Sequence, residues 1–180
     1  MDWSSADDRA LVRGWQSGDS AALEALFRRH EDRLFRLALS WLGTQQGAED
    51  AVQDVFERSL KGFVRFRFGA APFTWLYATL RNVCREHRRQ PAGLPLDVEP
   101  VSDAPGAAHA YANEATARAV RMAVSMLPDR QREVVMLRVF EDMSVAETAV
   151  AMDCRQGTVK ALLSKAKANL KLNITVEETR

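Results

Sequence analysis

Apolar residues recur along this chain at intervals of three and four, and alternation never lasts beyond a few positions, so the pattern predicts helices and no sheet. Ala6 to Ser17 carries Ala10, Leu11 and Trp15 on one side. Ser20 to Leu42 holds a longer stripe of Leu23, Leu26, Phe27, Leu34, Leu37, Ala38 and Trp41, with Ser20 and Glu24 as an imperfect start signal and Gly43 as the stop. Gln46 to Val64 is expected to turn Ala48, Val52, Val55, Phe56 and Leu60 inward. Gly69 and Pro72 then break the chain. Phe73 to Gln90 follows, with Leu76, Tyr77, Leu80, Val83 and Cys84 expected inside and Arg81, Arg85, Arg88 and Arg89 outside.

Residues 91–112, PAGLPLDVEPVSDAPGAAHAYA, hold four of the six prolines, a spacing that no helix survives. Beyond them Glu114 to Met126 is helical in pattern. Pro128 suits the first turn of the next helix, and Arg130 to Phe140 points Val134, Val135, Leu137 and Val139 inward. Two further helices joined by a tight turn occupy Ser144 to Leu172, the first opened by Ser144 and Glu147 as a capping box. The expected fold is therefore all-α: two small helical domains, 1–90 and 114–180, joined by a flexible acidic linker at 91–113.

Charge sharpens this division. The 180 residues sum to +1, yet residues 1–57 carry −5, 58–89 carry +7, and 90–113 carry −3. Residues 155–171 hold Arg155, Lys160, Lys165, Lys167 and Lys171 with no acid, a net of +5. Two cationic blocks in a near-neutral chain suggest two polyanion contacts, with acidic surface left for another partner. Cys84 and Cys154 form no ligand pair, which fits a reduced, cytoplasmic protein. The acidic N-terminus does not read as a signal peptide, and no stretch approaches a membrane span. There is no Gly-rich phosphate loop, metal constellation or nucleophile–base pair, so no cofactor, metal or catalytic residue is expected.

Three stretches could carry function. The first is the second helix of the terminal pair. Val159, Leu163, Ala166 and Leu170 share one side, and Lys160, Ser164, Lys165 and Lys167 lie opposite or beside it. This is the DNA-binding helix-turn-helix layout. Its opening residues, Arg155, Gln156, Thr158, Lys160, Ala161, Ser164 and Lys165, would reach base edges while the lysines neutralise phosphate. The second is FVRFRFGAAPFTW, Phe63 to Trp75, where rings alternate with Arg65 and Arg67. Unpaired bases stack on rings while arginine meets phosphate, and a Gly- and Pro-containing loop can form a pocket for an extruded base. Phe63, Phe73 and Trp75 fit a plain core equally well. The third is the row Asp50, Gln53, Asp54 and Glu57, a face suited to docking a protein or to solvent.

Taken together, AEDAVQDVF, the aromatic loop leading into FTWLYATLRNVCREHRR, LPDRQREVVMLRVFEDMSVAETAVAM and GTVKALLSKAKANL resemble the extracytoplasmic-function (group IV) sigma factors of bacterial RNA polymerase. The resemblance spans regions 2.1–2.4 over about 7–90 and region 4 over about 114–172. It implies that Asp50, Gln53, Asp54 and Glu57 dock on the β′ clamp of core RNA polymerase, with the β flap as a second contact. It implies that Arg65, Arg67, Phe68, Gly69, Ala70 and Trp75 belong to the loop that captures a flipped −10 base, and that Asn82, Arg85, Arg88 and Arg89 meet −10 DNA. Arg155, Gln156, Thr158, Lys160, Ala161, Ser164, Lys165 and Lys167 would face the −35 major groove of promoter DNA. The resemblance also implies that the linker threads the polymerase's channels and that an anti-sigma factor holds the protein inactive. Arg155-Gln156 and Ala161-Leu162 replace polar pairs usual in the family's recognition helix. A stand-alone helix-turn-helix regulator and a sigma mimic that sequesters an anti-sigma factor are the alternatives.

Overall fold

Asp7 begins the first helix: its carboxylate accepts the Ala10 amide at 2.7 Å and satisfies one of the orphan donors of α1, Asp8–Gln16. The computed structural model describes residues 3–89, 120 and 122–178, all of its regular elements helical. The chain divides between Ser102 and Asp103 into two units. The linker expected at 91–113, and the start of the helix expected from Glu114, lie outside the described residues.

In the first unit α2 spans Ser20–Leu42, the bounds the pattern predicts. Its start is set by Asp19, which accepts the Ala21 amide at 3.0 Å, rather than by Ser20. Its stop is Gly43, at φ 76°, where a side chain would be strained. Thr44 caps α3, Gln45–Gly62, which tightens into a 3₁₀ turn at Phe63–Arg65. After a loop, α4 runs Pro72–Arg89 with proline in the first turn, where its missing amide costs nothing. Helices α1, α3 and α4 all pack on α2, and α3 packs on α4. Leu76, Tyr77, Leu80, Val83 and Cys84 of α4 are fully buried against Leu23, Leu26, Leu34 and Leu37 of α2 and Ala48, Ala51 and Val55 of α3.

Three sequence expectations are corrected here. Phe56 and Leu60 are exposed, because α3 buries the small-residue row Ala48, Ala51, Val55 and Ser59 and lets the helices approach closely. Arg81 is buried rather than outside. It lies four residues after Tyr77 and three before Cys84, so its stem follows the apolar seam. Phe63 and Phe73 are core, which decides their open reading.

The second unit is smaller. Residues 122–125 are helical, and Pro128 stands just before α5, Asp129–Val135, rather than inside its first turn. The helix then widens into a π turn at Met136–Phe140, with the Glu141 amide reaching the Met136 carbonyl at 3.0 Å. That widening leaves Val139 exposed where a regular helix was expected to bury it. Val145–Ala151 form α6, opened by the expected capping box: the Glu147 amide donates to Ser144 Oγ at 3.1 Å and the Ser144 amide to Glu147 Oε2 at 2.8 Å. Helix α7 spans Gln156–Glu178, past the expected end near Leu172.

Two electrostatic details matter for stability. Burial acts to raise the Asp8 carboxyl, but His30 Nε2 at 2.6 Å and Arg29 at 2.8 Å together outweigh it and hold it below its ordinary 3.8. Burial pushes the Cys84 thiol up to about 12.

Replacing Ser144 with Ala should cost the second unit about 1 kcal/mol (range roughly 0.5–2), read as a shifted midpoint in urea unfolding. Asp8→Asn should destabilise the first unit at neutral pH. A depressed carboxyl stabilises the fold above its unfolded value and loses that effect as pH falls through its folded one, so the gap between wild type and variant should close below pH 3.8 in thermal melts.

Candidate nucleic-acid interface

Helices α6 and α7 are joined by Met152, Asp153, Cys154 and Arg155. Asp153 takes a positive φ of 50°, a conformation aspartate tolerates better than bulky residues do. The turn closes through Cys154 N–H to the Ala149 carbonyl at 2.9 Å. Arg130 of α5 holds it from below, donating to the Met152 carbonyl at 3.2 and 3.3 Å while pairing with buried Glu133 at 3.0 Å. Asn169 of α7 donates to Gln131 of α5 at 2.8 Å. Val159 and Ala166 are buried, with Leu163 and Leu170 half-buried beside them.

That anchoring fixes what α7 presents. Arg155, Gln156, Thr158, Lys160, Ala161, Ser164, Lys165 and Lys167 are all exposed. Gln156, Lys160, Ser164 and Lys167 stand in one row at helical spacing, and Ala161 and Lys165 in the next. The structure thus brings the whole sequence-read set onto one acid-free face, with lysine charge suited to phosphate and short side chains between that admit a base edge.

In the first unit the loop between the 3₁₀ turn and α4 is an aromatic ladder. Phe63 meets Phe66 at 5.5 Å, Phe66 meets Phe68 at 5.1 Å, and Trp75 lies 4.7 Å from Phe63. Trp75 also covers Gly62 so closely that a Cβ there would fall 2.3 Å from the indole. It is thus a structural prop under the loop, half-buried. Arg65, Arg67 and Gly69 are exposed; Phe68 and Ala70 are half-exposed. Phe68 has φ 58°, a strained backbone for an aromatic residue.

Asn82, Arg88 and Arg89 of α4 are exposed and Arg85 half-exposed. The acid of this cationic block, Glu86, is held by Arg58 of α3 at 3.1 and 2.5 Å, and that hydrogen bond depresses its carboxyl. On α3, Asp50, Gln53 and Glu57 are exposed. Asp54 is turned toward α4, its Oδ2 3.0 Å from His87 Nε2.

Sequence reasoning missed several groups. Phe56, Leu60 and Val64 form an exposed apolar row beside Gln53 and Glu57; the i, i+4 spacing was visible but was assigned to the core. The second unit exposes Val139, Phe140 and Val150. Gln16 donates to the carbonyls of Phe63 and Phe66 at 2.9 and 3.0 Å, a tie across 47 and 50 residues that no local pattern reveals. Arg13 and Arg9 of α1 lie over the Phe68 ring at 5.4 and 6.0 Å.

Comparison with known proteins covers both units. Residues 26–92 match the family model "Sigma-70 region 2" and 117–170 match "Sigma-70, region 4". The chain is 35% identical to the ECF RNA polymerase sigma factor SigM of Mycobacterium tuberculosis (strain H37Rv), over 91% of this chain and 82% of that one. It is 27% identical to the ECF RNA polymerase sigma-E factor of Escherichia coli K12, over 89% and 90%. Among solved structures, CnrH in complex with the cytosolic domain of CnrY has a similar fold, with a TM-score of 0.73 at 22% identity over 94% of this chain and 97% of that one. The sigma factor RpoE of Bartonella quintana, solved with the anti-sigma factor NepR, aligns at 0.64 and 24% identity over 80% and 91%. With both sigma regions matched and a relative this similar across nearly its whole length, the chain belongs to the sigma-70 family of RNA polymerase sigma factors, in its ECF branch.

Proposed function

We propose that the protein joins core RNA polymerase and directs it to promoters, reading −35 with α7 and opening and holding −10 with the 65–72 loop and α4. The first unit, with the segment to residue 90, is the core-docking and −10 body; residues 114–180 are the −35 body; 91–113 is the connection. The observation that carries this reading is the acid-free exposed face of α7, seated on a buried apolar face and steadied by Arg130 and Asn169. Such a face binds a polyanion in the major groove without internal competition for its lysines.

The protein performs no bond-making step of its own in this reading. It works by position. Unstacking a base step costs a few kcal/mol, and capture of the extruded base in the loop offsets part of that. Asp50, Gln53, Asp54 and Glu57, with the apolar row Phe56, Leu60 and Val64 alongside, form the docking face for the β′ clamp. Val139, Phe140 and Val150 offer apolar surface on the second unit, suited to the β flap. An anti-sigma factor would find the same apolar rows to cover, and covering them would block assembly with polymerase. Action on the chromosome places the protein in the cytoplasm, and among the described residues no helix is long and apolar enough to cross a membrane.

Run-off transcription by core polymerase with and without the protein, on fragments of its own genome, tests the reading: specific starts should appear only when it is added. Lys160→Ala with Lys165→Ala should weaken −35-dependent output, by about 1–3 kcal/mol for each base edge left unread. The slope of log affinity against log salt should flatten by about 0.9 for each phosphate left without its lysine. Asp50→Lys with Gln53→Ala should reduce capture of core polymerase in a pull-down while leaving the thermal melt unchanged, since neither side chain is buried.

A further inference from the structure

The N-terminal segment is acidic in sum, which hides its cations from a sequence reading. The fold separates them. Asp7 is used as the cap of α1, Asp8 faces Arg29 and His30 of α2, and Asp19 accepts the Trp3 indole N–H at 3.0 Å. Arg9 and Arg13 point elsewhere, toward the aromatic loop, where they lie over Phe68. Both are exposed, and neither pairs with a carboxylate among the described residues.

We propose that Arg9 and Arg13 of α1 belong to the single-strand DNA site, supplying backbone phosphate contacts to the strand whose base the 65–72 loop holds. Three observations support this. The Gln16 amide, one turn beyond Arg13, ties α1 to the Phe63 and Phe66 carbonyls, so the cations have a fixed position relative to the loop. The strained Phe68 backbone turns its ring toward α1, where a relaxed extended backbone would carry it away. A guanidinium lying over a ring keeps its N–H edge free for an anion, the arrangement in which stacking platforms and cations hold unpaired strands. With Arg65 and Arg67, the loop then has exposed cations on its own backbone and on the neighbouring helix.

This inference rests on the loop being the −10 site, and the test separates the two. Holoenzyme assembled from core polymerase and the full chain is bound to a forked promoter probe whose −10 segment is single-stranded, and to the matching full duplex, across a range of salt. Arg9→Gln with Arg13→Gln should lower the log affinity–log salt slope on the forked probe by about 1.4, at about 0.7 for each single-strand phosphate contact. Core binding should be unchanged. Arg9→Lys with Arg13→Lys should restore the slope, because charge is kept although stacking is weakened. An unchanged slope in the glutamine variant, with wild type preferring the forked probe, overturns the phosphate contact and leaves the −10 assignment standing. Weaker binding at unchanged slope, not rescued by lysine, also overturns it and assigns the arginines to propping Phe68. Wild-type holoenzyme with no preference for the forked probe removes the −10 assignment itself, and this inference with it.

Discussion

The first unit depends on one seam, the apolar side of α4 closed against α2 and α3. Leu76, Tyr77, Leu80, Val83 and Cys84 are fully buried there. Each large apolar side chain so buried is worth about 1.5–3 kcal/mol, which in a unit this small is a large part of its stability. The same helix carries Asn82, Arg85, Arg88 and Arg89 on its other side. Burial of one face therefore fixes the direction of the other. The cations need no partners of their own to be held in place, and Glu86, which would have diluted them, is drawn aside by Arg58.

The second unit solves the same problem with less apolar surface. Its recognition helix is seated by Val159 and Ala166, and polar ties do the rest. Arg130 reaches the turn carbonyl, Asn169 reaches Gln131, and the Ser144–Glu147 box sets where α6 begins. Directional bonds of this kind specify orientation more than they add stability. That suits a helix whose use depends on the angle at which it enters a groove.

Much of this was legible from the sequence, and the failures have identifiable causes. The bounds of α2, the Gly43 stop, the capping box and the two faces of α7 follow from local periodicity and cap chemistry. Phe56 and Leu60 were misread because helical spacing identifies an apolar face without saying whether a neighbour covers it; here Ala48, Ala51 and Val55 took the close approach. Arg81 was misread because a long side chain can bury its stem wherever its Cα lies. Val139 was misread because periodicity assumes a regular α-helix. The Gln16 and Arg13 contacts to the loop join residues roughly fifty positions apart, beyond any windowed pattern. Among the sequence-read site residues, Trp75 proved to be a prop under the loop, while Arg65, Arg67 and the α7 set stand on open surface.

The widened turn at Met136–Phe140 has a geometric consequence for everything after it. One additional residue per loop of backbone advances the helical phase by roughly 100°. The segment leading into α6 therefore leaves α5 rotated from the azimuth an uninterrupted helix would dictate. Removing a single residue from this stretch would re-thread the coil at its ordinary pitch and swing the downstream pair through about a quarter-turn.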